Sequence, residues 1–352
     1  MPAPSTKIDA RRVRIADVAK LAGCAPATVS RRLNNPAIVS ADVVQAIDIA
    51  IEQLGYVRND SARSLRSSRS RLVGAVIPTL RHSIYAELLA GLQHVLEKNG
   101  FAVIYNTSEY NLDEEHRQAR TLVERGVEAI VLVGTRHRAK TLKLISAHNI
   151  TCAVTYAFDE DFVFTCVGFD NRRAAALAAN RLYDLGHRRF GMLAGITANN
   201  DRAQGRVEGF VEALAAKGID PAKIVIREGR YQIGDGRAAM ASLLDQDPQI
   251  TALFCGSDVL AFGAMFECRR RAISIPADLS IIGFDNLEIS AYTDPPLTTL
   301  NVPAYEIGRK AAQYILRNEQ GSAAIEYVTI PAELVERSTT MARTPNQVQD
   351  GA

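Results

Sequence analysis

Five cysteines in 352 residues form no C-x-x-C pair and no Cys/His cluster, so neither a disulfide framework nor a zinc site is supported. Cys152, Cys166 and Cys255 stand in apolar runs, where a thiol is ordinarily a small core hydrophobe. No stretch approaches the length of a membrane span. The opening MPAPSTKIDARRVRIADVAK lacks the apolar run of a signal peptide, which leads us to expect a cytoplasmic protein. P-loop, G-x-S-x-G and H-E-x-x-H strings are missing too. One string, Gly234-Asp235-Gly236-Arg237-Ala238-Ala239, fits a dinucleotide fingerprint on paper. That fingerprint needs a strand directly before its first glycine, and residues 228–232 read as polar loop, so we expect a helix start instead. No enzymatic activity, cofactor or metal is expected.

Net charge is small overall but unevenly placed. The formal net charge is +2, yet residues 1–71 hold 12 Lys/Arg against 6 Asp/Glu, and the remainder is mildly acidic. A basic front end on an ordinary body suggests a segment that meets a polyanion.

That front end carries three short helical patterns. Residues 15–22 put Ile15, Val18, Ala19 and Ala22 on one face, residues 26–33 do so with Val29 and Leu33, and residues 41–54 repeat Val43/Val44, Ile47, Ile51 and Leu54. Gly23 suits a tight turn between the first two helices, Ala19 is small where they must cross, and Ser40 and Gly55 are placed to cap the third. Packing Val18, Val29 and Leu33 against Val44 and Ile47 turns Ala27, Thr28, Ser30 and Arg31 outward. These side chains suit a major groove: Arg31 can donate twice to guanine, Ala27 or Thr28 can meet a thymine methyl, and Ser30 can hold phosphate.

Residues 59–71 are polar, Ser/Arg-rich and linker-like in composition. From Leu72 the pattern changes. Apolar strand candidates at 72–77, 101–105, 129–133, 151–155, 190–194, 224–226, 252–255 and 279–283 alternate with amphipathic helices. This alternation implies parallel sheets covered on both faces. About 260 residues with a break near 163–170 suit two doubly wound lobes, followed by a disordered tail at 341–352.

The run D-V-A-K-L-A-G-C-A-P-A-T-V-S-R-R-L-N, followed by I-E-Q-L-G-Y-V-R-N and A-R-S-L-R, resembles the headpiece of the LacI/GalR (lac repressor) family. The likeness continues through G-H-R-R-F-G, C-G-S-D-V-L-A-F-G-A, I-I-G-F-D-N and P-P-L-T-T-L, from Val13 to Thr340. It implies a helix-turn-helix headpiece over residues 1–58, a hinge helix at 59–71 and a two-lobed periplasmic-binding-protein-like core at 72–340. It also extends the DNA-contacting set to Pro26, Asn34, Tyr56, Asn59, Ala62, Arg63 and Leu65. A leucine at position 65 would wedge into the minor groove and kink it, with Arg63 and Arg66 offsetting phosphate charge. The sequence departs from the family at Ala25, commonly Ser, and at Arg32, commonly apolar. Both changes alter what operator would be read.

In such a core the ligand cleft lies beyond the carboxyl ends of the strands. By position this singles out Ile84, Tyr85, Tyr156, Phe158, Arg202, Arg206, Tyr231, Ser257 and Asp285, of which Arg206 and Asp285 match family positions that contact ligand. Asp258 reads as a helix cap. The stretch G-V-E-A-I-V-L-V-G-T-R-H and the V-G-F-D-N turn look most like the gluconate-type repressors, which points to a sugar or sugar acid as effector, with a nucleobase or another metabolite as the alternative. The expected partners are pseudo-palindromic double-stranded operator DNA, that small molecule and a second copy of the chain (a homodimer, with tetramers open), and no membrane. The rival reading, a solute-binding protein of a transport system, shares the core fold but leaves the basic front end without a role.

Overall fold

The computed structural model describes residues 13–57, 69–318 and 324–343 and divides into two compact units, Met1–Ser70 and Arg71–Ala352. Asn59, Ala62, Arg63 and Leu65, the rest of the expected hinge up to 68, and the tail from 344 onward lie outside the described residues.

The first unit is built on α1 (Ile15–Leu21), α2 (Pro26–Asn34) and α3 (Ala41–Leu54). The turn between α1 and α2 is reached through Gly23 at φ 65°, a left-handed conformation that costs other residues energy. Proline is favoured at a first helical position, and Pro26 opens α2 there; Ala25 before it makes no side-chain cap bond. Val18, Ala19, Val29, Ile47 and Ala50 form the buried core, with Leu33, Val43, Ile51 and Tyr56 against it. Val43 packs there instead of the expected Val44, because it lies one i−4 step from Ile47 on the face that Ala50 and Ile51 continue. Arg32, the unusual cation in α2, reaches Asp48 of α3 at 2.8 Å. It therefore ties two helices where an apolar contact would otherwise serve.

The second unit is two lobes of similar plan. In the first, β1 (Leu72–Ile77), β2 (Ala102–Thr107), β3 (Ala129–Val133), β4 (Thr151–Thr155), β5 (Thr165–Gly168) and β11 (Tyr327–Thr329) form one sheet in the order β11-β5-β4-β3-β1-β2. The second sheet runs β12-β10-β9-β8-β6-β7. Its strands are β6 (Phe190–Gly195), β7 (Val225–Gly229), β8 (Ala252–Cys255), β9 (Ser280–Asp285), β10 (Thr298–Asn301) and β12 (Glu333–Val335). Every pairing is parallel except β10 with β12. Helices α4 (Ser83–Lys98), α5 (Leu112–Glu124), α6 (Ala139–Ala147), α7 (Asn171–Asp184), α8 (Asp201–Ala215), α9 (Ile233–Gln246), α10 (Asp258–Arg270) and α11 (Ala304–Arg317) make the crossovers.

Four strands are additional to the sequence expectation: β5, β10, β11 and β12, each only three or four residues long. Their placement makes the lobes interleaved, since the chain passes between sheets after β5, after β10 and between β11 and β12. The fingerprint-like string falls inside α9, as a helix start. However, β7 runs through Glu228 and Gly229, residues expected to be loop, because they pair with Ala194 and Gly195 of β6. No helix among the described residues is long and apolar enough to cross a membrane.

Candidate functional site

Parallel strands point their carboxyl ends the same way, and here both sheets aim those ends at a cavity of about 170 Å³ between the lobes. That is room for on the order of ten water-sized groups. Eight of the nine candidates line it: Ile84, Tyr85, Tyr156, Arg202, Arg206, Tyr231, Ser257 and Asp285. Phe158 does not. Its ring packs edge-on against Tyr327 of β11 at 6.4 Å, a neighbour that exists only because the C-terminal segment returns to the first sheet. Sequence reading missed His82, Tyr110, Phe169, Asn171, Asn200 and Phe284. A second, more open hollow of about 510 Å³ adjoins the first and is rimmed by Glu87, Glu288 and Glu306.

Arg206 is 8 % exposed and held from three sides. Its Nη1 donates to Asn171 Oδ1 at 2.7 Å, its Nη2 to the Tyr231 hydroxyl at 2.9 Å, and its guanidinium lies 4.6 Å from the centre of the Phe284 ring. The Arg206 Nε, buried as well, has no hydrogen-bond partner among the described residues. A donor left unpaired in this way costs about 1–3 kcal/mol unless something fills it.

Asp285 follows in the same cavity at the end of β9. Burial pushes its carboxyl up to about 8, the neighbouring Asp258 adds to this, and Arg206 and Ser257 oppose it. Its φ of 115° and the φ of 60° at Tyr156 lie in the left-handed region that these residue types rarely adopt, and such strain concentrates at functional sites.

The aromatic wall is tied across the lobes. His82 Nε2 donates to the Tyr231 carbonyl at 3.1 Å, and the two rings meet edge-on at 5.3 Å. Burial holds His82 below its ordinary value. Tyr110 lies 3.4 Å from both His82 Nδ1 and the Tyr85 hydroxyl, while the Tyr156 hydroxyl donates to the Ile84 carbonyl at 2.6 Å. A donor and an acceptor beside several ring faces can hold a small molecule with hydroxyls on one edge.

Two assignments change. The cap of α10 is Ser257, whose side chain accepts from the Val259 amide at 3.2 Å while its hydroxyl still lines the cavity beside Asp285. Asp258 does not cap. Fully buried at the first helical position, it accepts from the Leu287 amide at 2.8 Å and from the Ser290 and Thr299 hydroxyls at 2.6 and 2.5 Å, pinning the loop after β9 to β10. Burial raises its carboxyl to about 6, against those hydrogen bonds.

On the first unit, Pro26, Ala27, Arg31 and Asn34 are exposed on α2, with Thr28 and Ser30 half-buried beside them. Asn34 Nδ2 donates to Ser30 Oγ at 3.4 Å. Tyr56 packs its side chain against the helical core.

Two families match this architecture. Residues 14–59 match bacterial regulatory proteins of the lacI family, and residues 179–340 match a periplasmic binding protein-like domain. The HTH-type transcriptional repressor CytR of Escherichia coli is 31% identical over 327 residues, covering 93% of this chain and 96% of that one. The chain belongs to the LacI family. It is a DNA-binding transcription regulator with a periplasmic-binding-protein-like core. Among solved LacI-family structures, a transcriptional regulator from Silicibacter pomeroyi superposes with a TM-score of 0.85 at 27% identity, over 94% of this chain and 99% of that one. A LacI-family regulator from Enterococcus faecium, solved with bound ribose, matches with a TM-score of 0.68 at 25% identity, over 78% and 100%.

Proposed function

We propose that this regulator is a cytoplasmic repressor that binds a pseudo-palindromic operator as a homodimer and releases or tightens it when a sugar or sugar acid enters the interlobe cavity. The observation that carries the effector reading is Arg206, buried, clamped by Asn171 and Tyr231, and lining the same cavity as Asp285. The ribose-bound relative supports a polyhydroxylated ligand. In this reading Arg206 donates to ligand hydroxyls, Asp285 accepts from them, and Tyr85, Tyr156, Tyr231 and Ile84 supply the walls. Calorimetry of the full chain with sugars and sugar acids tests it; absence of heat from all of them would remove it.

Asp285 adds a pH signature. A ligand hydroxyl donates to the ionised carboxylate, and with the free group near 8 most of it is protonated at pH 7. Affinity should therefore rise by about tenfold between pH 7 and pH 9 and level off above that, and Asp285→Asn should flatten the profile. A profile that is already flat in the unmodified protein would contradict the role.

For DNA, α2 enters the major groove with Ala27, Thr28 and Arg31 toward the base edges, while Pro26, Ser30, Asn34 and Tyr56 contact the backbone. Asn59, Ala62, Arg63 and Leu65 carry the hinge roles that the family resemblance implies, with Leu65 as the minor-groove wedge. Arg31→Ala should cost about 1–3 kcal/mol on the best operator and relax preference at one base position. Binding to a randomised operator library reads this, and uniform weakening on all sequences would make Arg31 a phosphate contact. Exposed Ile233, Phe266, Ile289 and Tyr292 on the second lobe offer apolar surface for the partner copy. Ligand-driven rotation of the lobes would then change the spacing of two hinges across the dimer and so the cost of ordering them on DNA.

A further inference from the structure

All three covalent passages between the lobes lie at one side of the sheets, next to β5, β10, β11 and β12, whereas β2 and β7 are the opposite edges. Away from those passages, closure depends on non-covalent ties, and the densest group gathers on the first turn of α8. Asp201 Oδ2 accepts from the Thr135 amide at 2.8 Å and from the Thr135 hydroxyl at 3.2 Å. Arg202 Nη1 donates to the Val133 carbonyl at 3.0 Å and to Asp201 Oδ1 at 2.9 Å. Beside them Arg136 Nη2 donates to Gln204 Oε1 at 3.0 Å. Val133 ends β3 of the first lobe, with Thr135 and Arg136 in the loop after it; Asp201, Arg202 and Gln204 belong to the second.

The receiving loop is shaped for this contact. Gly134 holds φ 82°, and a Cβ there would stand 1.7 Å from Arg202 Nη1, so any side chain would both strain the backbone and evict the guanidinium. Behind it, His137 Nε2 lies 2.7 Å from the Gly134 carbonyl and Nδ1 lies 2.8 Å from Glu115 Oε1, with the His137 side chain fully buried. Against the upward push of burial, Arg202, the Thr135 amide and His137 hold Asp201 below its ordinary value. Every Arg202 and Asp201 bond named here is made to protein, and Arg206 projects from the same helix one turn further on.

We infer that Asp201 and Arg202 form a bracket with Val133–Thr135 that closes the lobes without help from a ligand, and that they act as positioning residues for Arg206. Arg202, expected from sequence to touch effector, lines the cavity and also anchors the first lobe through its Nη1 bond to the Val133 carbonyl. The inference rests on the effector reading only where it concerns Arg206. Closure itself is a property of the free protein.

Hydrogen exchange of the full chain without added ligand tests it, because the Thr135 amide is itself a bracket bond. In the unmodified protein that amide should be protected. Asp201→Asn should speed its exchange on the order of a hundredfold, with β8 protection and melting temperature little changed. Gly134→Ala, which wedges the same contact from the other lobe, should do likewise, whereas Thr135→Ser, which keeps both bonds, should retain protection. Arg206→Ala should leave Thr135 protected, so that loss of the effector site and loss of the bracket are told apart. A Thr135 amide that exchanges freely in the unmodified protein, or equally slowly in Asp201→Asn, would overturn the bracket.

Discussion

Arg206→Ala should lower effector affinity on the order of a hundredfold or more while leaving operator affinity in the absence of effector near that of the unmodified protein. The guanidinium lines the cavity beside Asp285, and each charge-assisted bond such a group makes to a ligand is worth about 1.5–3 kcal/mol. Its loss also frees the Asn171 carbonyl oxygen and the Tyr231 hydroxyl from the bonds that orient them. Calorimetry with the best-binding sugar, together with operator mobility shifts with and without it, reads both halves. If the variant still answered the effector at the same concentration, the cavity would not be the sensing site.

Ile47→Ala should abolish operator binding and spare effector binding. Ile47 is fully buried in a helical core whose other buried members are Val18, Ala19, Val29 and Ala50. Truncating such a residue costs about 2–5 kcal/mol, comparable with the whole stability of a unit this small. The second unit has its own extensive cores and should keep its melting transition. Fluorescence anisotropy on operator DNA and calorimetry on the same preparation separate the two activities. Undiminished operator affinity would mean that DNA is not read by this helical unit.

The helical unit was the more legible part because its signals are local. The i, i+3, i+4 spacing of Ile15, Val18 and Ala19, the turn glycine at 23 and the exposed face of Ala27 and Arg31 each depend on residues a few positions apart. Arg32 shows the limit even there: it looked like a departure, and its reason is Asp48, 16 residues away on another helix. In the two lobes, strand ends were readable from apolar runs, and so were most of the residues that follow them. Which of those residues meet was not readable. Phe158 was drawn off by Tyr327, Arg202 and Ser257 line the cavity while also bonding Val133 and the first turn of α10, and His82 and Tyr110 carried no signal in spacing that marked them as a cavity wall.

Amino-acid order alone settled the periodic elements, the basic amino-terminal module and the family to which the chain belongs, because periodicity, turn chemistry and motif spacing act over short stretches of chain. The interleaving of the lobes, the enclosure of Arg206 beside Asp285 and the pairing of Asp201 with Thr135 were decided only by tertiary structure. Those contacts join residues tens to hundreds of positions apart, and their energies depend on burial and direction that no stretch of sequence contains.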